Sequence, residues 1–301
     1  MEPKDTAPED ALAGLDTREA LIVVTRLLGE GGVENPARDA RLLLLSALAI
    51  TGTDLLRDPG RRLDQEEARK FWDLAQRRAA REPVSRILGE RGFYGRTFHV
   101  MPATLDPRPC TETVVEAALE IAGREGWRDR PMRILDIGTG TGALLVTLLA
   151  ELPLATGLGT DISDDALGAA QANAERLGVA SRAAFLNRRS GEGVAGPFDL
   201  VVSNPPYIPS GDIAALEPEV RDFDPLGALD GGADGLAIYR EIAASLLELV
   251  PRGWALMEVG AGQASDVAAI LREGVGAAAV KIETWTDLGQ HTRCVAVQTQ
   301  R

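Results

Sequence analysis

Residues 133–144, Arg-Ile-Leu-Asp-Ile-Gly-Thr-Gly-Thr-Gly-Ala-Leu, determine the fold class of this chain. A short apolar run leads into three alternating glycines, and an amphipathic pattern follows to about residue 151. This order is typical of a buried strand, a tight turn and a helix N-terminus. Glycines let the backbone approach a ligand closely, and the helix end presents free N–H groups. The segment therefore predicts a ligand-binding turn.

Two cofactors compete for this turn. Gly138, Gly140 and Ala143 also satisfy the dinucleotide fingerprint G-x-G-x-x-G/A, which requires an acid roughly 20 residues farther on. Asp161 meets that requirement and lies where a carboxylate would accept from ribose hydroxyls. Asp136 distinguishes between a dinucleotide and S-adenosyl-L-methionine. A carboxylate at the mouth of the turn repels a pyrophosphate but attracts the ammonium and sulfonium groups of S-adenosyl-L-methionine. The sequence thus favours the methyl donor, and a glycine turn without any cofactor is the remaining alternative.

The second informative segment is Asn204-Pro205-Pro206-Tyr207, which follows the apolar run at residues 198–203. Consecutive prolines carry no N–H group and cannot continue a strand ladder, so we expect a loop at the C-terminal end of a strand. Its carbonyls, amide and aromatic ring can hold a planar NH2 group, with two acceptors for the hydrogens and a face for stacking. The alternative is an ordinary turn, since Asn-Pro pairs often begin turns.

Helix and strand patterns divide the chain into three parts. An all-helical region is predicted first, with capping boxes at Asp16 with Glu19 and at Asp64 with Glu67. A β-hairpin and then an alternation of strands and helices follow, which indicates a doubly wound, Rossmann-like α/β sheet of seven strands with one antiparallel strand near its end. The predicted strands are residues 132–137, 155–161, 182–187, 200–203, 253–259, 279–286 and 294–299. The predicted domains are residues 1–88, a β-hairpin linker at residues 89–105, and residues 106–301.

Composition argues against several other classes of protein. The net charge is −13 without a basic tail or stripe, which disfavours nucleic-acid binding. The two cysteines offer neither a disulfide framework nor metal-ligand spacing, and they suit a reducing compartment. Residues 1–10 lack the apolar core of a signal peptide, and the apolar run at residues 42–50 is too short to span a bilayer. We therefore expect a cytoplasmic enzyme without a metal.

The chain resembles the release-factor glutamine N5-methyltransferase family, the HemK family, over nearly its whole length. The Asn-Pro-Pro-Tyr loop alone is shared with methyltransferases that act on adenine amino groups, so the additional blocks are what point to glutamine. These blocks are Arg81-Glu82-Pro83, Ile87-Leu88-Gly89-Glu90, Phe93-Tyr94-Gly95, Pro107-Arg108-Pro109 with Thr111-Glu112, residues 217–221 and residues 228–235.

The resemblance implies a set of roles. Residues 106–301 would form the S-adenosylmethionine-dependent methyltransferase domain, and the substrates would be peptide chain release factors. Because a lone glutamine offers too little surface for specificity, our own hypothesis is that the N-terminal domain recognises the release factor, and we expect a monomer. The catalytic residues would be Asn204, Pro205 and Tyr207, which hold the amide of the glutamine in a Gly-Gly-Gln loop, and Pro206 would complete the substrate site. The implied cofactor-binding residues are Asp136, Gly138, Thr139, Gly140, Thr141, Gly142, Asp161 and Asn204.

The chain departs from the family pattern at two places. Cys110 stands where an acidic residue often sits, and residues 187–190 replace the acid-plus-aromatic pair that lies against the adenine. Arg189 is a candidate to stack on adenine instead, through its flat guanidinium. Three interpretations remain open from the sequence: a glutamine methyltransferase, an adenine N6 methyltransferase acting on DNA or RNA, and a non-enzymatic binding module.

Overall fold

A computed structural model describes residues 12–301. Residues 1–10, which the sequence predicts not to be a signal peptide, lie outside the described residues. The chain divides into two compact units, one ending at Gly89 and the other spanning Glu90–Arg301. Within residues 12–301, no helix is both long and apolar enough to cross a membrane.

The first unit is helical. Both predicted capping boxes are present: the side chains of Asp16 and Asp64 accept from the backbone of Glu19 and Glu67, and those glutamates accept in return. The apolar helix faces meet in one core, which contains the fully buried Phe71. The helices are α1 (Thr17–Glu30), α2 (Pro36–Ala47), α3 (Gly52–Arg57), α4 (Gln65–Ala79) and α5 (Val84–Leu88).

The second unit contains a hairpin followed by an α/β sheet. The hairpin strands are β1 (Glu90–Phe93) and β2 (Arg96–His99). The sheet strands are β3 (Met132–Ile137), β4 (Ala155–Asp161), β5 (Ala183–Asn187), β6 (Leu200–Ser203), β7 (Arg252–Glu258), β8 (Ala279–Thr286) and β9 (Thr292–Gln300). The helices are α6 (Glu112–Arg124), α7 (Ala143–Glu151), α8 (Asp164–Arg176), α9 (Pro218–Arg221), α10 (Ala237–Leu249) and α11 (Ala264–Val275).

The seven sheet strands lie in the order β5-β4-β3-β6-β7-β9-β8. Strands β3 to β7 are parallel, whereas β9 runs antiparallel to both β7 and β8. The predicted Rossmann-like sheet with one antiparallel strand is therefore confirmed. The strand order reverses between β3 and β6, and such a switch point opens a crevice at the carboxyl ends of the strands.

Both faces of the sheet are covered. Alternate residues of β3 enter different cores: Ile134 packs on the side of α6, α7 and α8, and Leu135 on the side of α10 and α11. The hairpin belongs to the first of these cores, where the rings of Phe93 and Phe98 meet edge to face with centroids 6.0 Å apart. The hairpin is thus an integral part of the second unit.

Candidate active site

A cavity of about 330 Å³ lies at the C-terminal ends of β3, β4 and β6. Small-molecule sites typically measure about 300–1,000 Å³, so the cavity is large enough for a cofactor or substrate. Most of the predicted site residues line it, but two of them, Gly142 and Tyr207, do not. Those that line it are Asp136, Gly138, Thr139, Gly140, Thr141, Asp161, Asn204, Pro205 and Pro206.

The glycine turn leaves room for a ligand. Gly138 and Gly140 have positive φ angles of 71° and 54°, and a Cβ added at either would meet no atom within 4 Å. Their side-chain positions are therefore open, and both residues line the cavity. Gly142 has a different function: its added Cβ would lie 3.2 Å from the Cβ of Ala170 and 3.1 Å from Val146. It permits close packing of α7 and α8.

Asp136 is a buried carboxyl group in the lining of the cavity. The carboxyl group is 1% exposed, and its Oδ2 accepts from Thr139 Oγ1 at 2.7 Å and from the backbone N–H of Leu145 at 3.3 Å. Its Oδ1 has no hydrogen-bond partner among the described residues. Burial raises the pKa of Asp136 to about 7, against the lowering effect of these two hydrogen bonds. A buried acceptor of this kind calls for a donor or a positive charge from a ligand.

Asp161 stabilises the turn from the end of β4. Its Oδ2 accepts from the backbone N–H of Gly140 and its Oδ1 from that of Ser163, both at 3.0 Å. The carboxylate is thereby held at the cavity wall, and each oxygen keeps a lone pair for a further donor. Among residues 12–301, no group of His, Cys, Asp and Glu side chains is arranged to hold a metal ion.

The loop after β6 forms the opposite wall. Ser203 Oγ donates to the Ile137 carbonyl at 2.7 Å and so joins the ends of β6 and β3. Asn204 Nδ2 donates to Thr111 Oγ1 at 3.1 Å. No described residue donates to Asn204 Oδ1, so the amide oxygen is the free acceptor of this side chain. The backbone carbonyl of Pro205 is a second acceptor. This wall of the cavity therefore carries two hydrogen-bond acceptors, Asn204 Oδ1 and the Pro205 carbonyl.

Tyr207 packs behind the cavity wall. Its carbonyl accepts from Gln263 Nε2 at 2.9 Å, and its ring lies against Gly260, where an added Cβ would come within 3.0 Å of the ring. Glu258 lies nearby at the end of β7, fully buried. Burial and the neighbouring Glu258 charge raise the pKa of the Tyr207 hydroxyl, so this group is protonated at neutral pH.

Arg189 lines the cavity but is already paired. Its guanidinium donates twice to Glu241, at 2.9 and 2.8 Å, and Ser190 Oγ donates to the same carboxylate at 2.9 Å. A bidentate pair is planar and leaves the guanidinium faces open. The pairing is therefore compatible with adenine stacking, which stays a prediction.

Three residues of the site carried no assigned role in the sequence. Thr111 lines the cavity and holds Asn204, and Glu258 follows the buried apolar run Trp254–Met257 at the end of β7. Asn173, fully buried on α8, donates to the carbonyls of Thr141 and His99 and accepts from the His99 N–H, so it joins the hairpin to the glycine turn. A lone acid at the end of an apolar run was the available signal for Glu258.

The chain matches two family models. Residues 19–89 match the PrmC N-terminal domain and residues 127–215 match the methyltransferase small domain. A release factor glutamine methyltransferase of Rhodospirillum rubrum is 48% identical over 288 residues, covering 93% of this chain and 86% of the relative. Another, from Bradyrhizobium diazoefficiens, is 46% identical over 263 residues, covering 87% of this chain and 88% of the relative.

Two solved structures are similar to the chain to different degrees. The hMettl16 catalytic domain in complex with MAT2A 3′UTR hairpin 6 superimposes with a TM-score of 0.55 at 18% identity, covering 75% of this chain and 82% of that chain. At this identity the likeness concerns the fold alone. A release factor-specific protein-(glutamine-N5) methyltransferase from Alicyclobacillus acidocaldarius is 26% identical with a TM-score of 0.40, covering 65% of this chain and 94% of that chain.

Proposed function

The chain belongs to the release factor glutamine methyltransferase family, and we propose that it methylates the side-chain amide nitrogen of the glutamine in the Gly-Gly-Gln loop of peptide chain release factors. S-adenosylmethionine is the methyl donor. The observation that carries this proposal is the orientation of Asn204, whose amide nitrogen is bonded to Thr111 and whose oxygen is left as an acceptor at the cavity wall.

The cavity fits S-adenosylmethionine on its other wall. The unbonded Oδ1 of Asp136 is a buried acceptor for a cationic donor group, and the open Cβ positions of Gly138 and Gly140 leave space for a ligand against the backbone. Asp161 is positioned to accept from hydroxyl groups. When bound, S-adenosylmethionine supplies a methyl group on a sulfonium, which is itself a strong electrophile.

Asn204 and Pro205 would activate and orient the substrate amide. An amide nitrogen is a weak nucleophile because its lone pair is delocalised into the carbonyl. If Asn204 Oδ1 and the Pro205 carbonyl each accept one amide hydrogen, electron density moves back towards the nitrogen. The two hydrogen bonds also fix the orientation of the amide, so that the nitrogen lone pair can point at the methyl group. Most of the acceleration would then come from positioning and fixed dipoles. Pro206, which lines the cavity, is proposed to complete the substrate site, whereas Tyr207, which packs behind the wall, is proposed to shape the loop and not to contact the amide plane directly.

The helical first unit is proposed to recognise the release factor, because one glutamine offers little surface for specificity. This domain would comprise residues 1–88, followed by the hairpin at residues 89–105 and the methyltransferase domain at residues 106–301. We also propose that the protein is a cytoplasmic monomer that binds no nucleic acid directly. The net charge of −13 supports the last point, since phosphate backbones are bound by clustered basic side chains.

Mass spectrometry of a purified release factor incubated with the protein and S-adenosylmethionine tests the proposal. We expect one added methyl group on the Gly-Gly-Gln glutamine, and none with Asn204→Ala, because the variant lacks one of the two acceptors. Gln300→Ala, at an exposed position of β9 that does not line the cavity, is the control and should keep its activity. Methylation of adenine amino groups in DNA or RNA, with the release factor unmodified, would contradict the proposal.

A further inference from the structure

A group of buried polar side chains lies behind Asn204 and is not required by the proposed reaction itself. Glu258, at the end of β7, is fully buried, and Thr111, before α6, is 4% exposed. Cys110 and Tyr207 are close to the same carboxyl group. The other six residues of β7 include the buried run Trp254–Met257, so the carboxyl group stands at the end of an apolar strand.

Hydrogen bonds connect this group to the cavity. Asn204 Nδ2 donates to Thr111 Oγ1 at 3.1 Å, and Cys110 Sγ donates to Glu258 Oε1 at 3.7 Å. The hydroxyl groups of Thr111 and Tyr207 lie close enough to lower the pKa of Glu258, but among the described residues neither makes a hydrogen bond of ordinary geometry with its carboxyl group. Thr111 therefore lies between the buried Glu258 carboxyl group and Asn204 at the cavity wall.

Thr111 alone does not determine which way the Asn204 amide points. A hydroxyl group can donate or accept, so Thr111 could accept from the amide nitrogen or donate to the amide oxygen. In the second case the NH2 group of Asn204 would face the cavity, and it would meet the NH2 group of the substrate donor to donor. Only the first orientation offers the substrate an acceptor.

An ionised carboxylate removes this ambiguity. It has acceptors only, so the favourable orientation of the neighbouring Thr111 hydroxyl points its single proton at the carboxylate, and the lone pairs of Thr111 are then left for Asn204. Cys110 and Tyr207 each have one proton and can satisfy the same carboxylate without opposing this direction. Arg293 contributes a positive charge that favours the ionised form.

We propose that Glu258 and Thr111 are positioning residues that hold the Asn204 amide with its oxygen towards the substrate. Glu258 acts at both ends of the loop, on Asn204 through Thr111 and on Tyr207 through the hydroxyl group. This inference rests on the proposed glutamine methylation and deepens it. It also explains why a carboxyl group is kept where an apolar side chain would be buried at lower free energy.

Steady-state kinetics of three variants test the inference. In Thr111→Val the hydroxyl is lost at nearly constant shape, and we expect kcat to fall about 100-fold, the scale of a misplaced reacting group. Thr111→Ser keeps the hydroxyl and should restore most of kcat. In Glu258→Gln the new amide can donate to Thr111 as well as accept, so kcat should fall about tenfold from the mixed orientations. The affinity for S-adenosylmethionine, measured by calorimetry, should be unchanged in all three.

Thr147→Val is the matched control. Thr147 is fully buried on α7 and its Oγ1 has no hydrogen-bond partner among the described residues, so the same substitution should leave kcat unaltered. Wild-type kcat in Thr111→Val, or a Thr111→Ser variant as slow as Thr111→Val, would overturn the inference. If wild type modifies adenine amino groups and not glutamine, the proposed function fails. The same rate ratios on that substrate then test the positioning residues, because an adenine amino group needs the same acceptors.

Discussion

The two walls of the cavity each depend on a buried carboxyl group, but the groups face different surroundings. Asp136 is the penultimate residue of β3 and lines the cavity. Glu258 is the last residue of β7 and does not line the cavity. Burial raises the pKa of each to about 7, and each has one oxygen without a hydrogen-bond partner among the described residues. Asp136 lines the cavity, and its unbonded oxygen lacks a protein donor. Glu258 instead interacts with protein hydroxyl and thiol groups.

A buried carboxyl group can therefore serve two purposes, depending on where it lies. A buried acceptor at the cavity surface selects what binds, since only a donor or cation compensates its desolvation. A buried acceptor one layer behind selects how neighbouring side chains orient their protons. The comparison predicts that substitutions on the Asp136 wall change cofactor affinity, while those on the Glu258 wall change turnover at saturating cofactor.

The largest expected effect is that of Asp136→Asn on cofactor binding. Loss of a charge-assisted hydrogen bond of up to about 3 kcal/mol corresponds to a decrease in S-adenosylmethionine affinity of roughly 100-fold. The free energy of unfolding should not decrease near pH 8, because burial disfavours the charged form that the substitution removes. Calorimetric titration and thermal unfolding measure both quantities. Asp165→Asn, at an exposed position of α8, is the control, and full affinity in Asp136→Asn would contradict the assignment of this wall.

A smaller effect is expected from pH. Because the raised pKa of Asp136 is about 7, the ionised fraction and with it the cofactor affinity should fall about tenfold from about pH 8 to about pH 6. Its contribution to the stability of the ligand-free protein runs the other way: it is fully present below the ordinary pKa of 3.8 and is lost as pH rises through about 7. Thermal unfolding of wild type relative to Asp136→Asn isolates this contribution. Equal pH dependence in both proteins would refute it.

Glu258 should produce a separate pH effect, on turnover. With S-adenosylmethionine saturating, kcat of wild type should decrease as pH falls below about 7, since protonated Glu258 can donate to Thr111. The same profile in Glu258→Gln should be flatter, and an identical decrease in both would remove Glu258 from the explanation. The groups that face its carboxyl group are Thr111, Cys110, Tyr207 and Arg293.

The smallest effect concerns Arg189. Stacking of a guanidinium on an aromatic ring contributes about 0.5–1 kcal/mol at an exposed site, so Arg189→Ala should weaken cofactor affinity by about two- to fivefold. Glu241→Gln removes the paired charge but keeps the guanidinium, and it should change affinity less. Calorimetry of the two variants compares them directly. Equal affinity in Arg189→Ala and wild type would mean that the adenine is held by other residues.

Much of the fold was predictable because it depends on local patterns. Strands β3, β4, β6 and β8 have the predicted bounds. For β3 and β6 the reason is local, since these largely apolar runs follow Pro131 and Asp199 and end before Gly138 and Asn204. The antiparallel strand β9 begins at Thr292, before the predicted residue 294, because pairing with β8 extends the strand beyond its apolar part. Local sequence does not report such partners.

The site was less predictable than the fold. Most of the motif residues line the cavity, but Gly142 and Tyr207 do not, and a motif gives no information on which side of a loop each member faces. Thr111 and Glu258 are separated from Asn204 by long stretches of chain and belong to the segment before α6 and to β7. Their association depends on the sheet order.

Local sequence is sufficient to predict the alternation of strands and helices, the glycine turn and the acceptor-rich loop at residues 204–207. These follow from periodicity, from backbone freedom at glycine and from the missing N–H of proline, all of which are local properties. The resemblance to the family likewise depends on motifs that are read directly from the chain. In contrast, the burial of Asp136 and Glu258 and the hydrogen bond from Asn204 to Thr111 are features of the assembled fold. Burial and hydrogen-bond direction depend on groups that are distant in the chain and meet only when the sheet assembles.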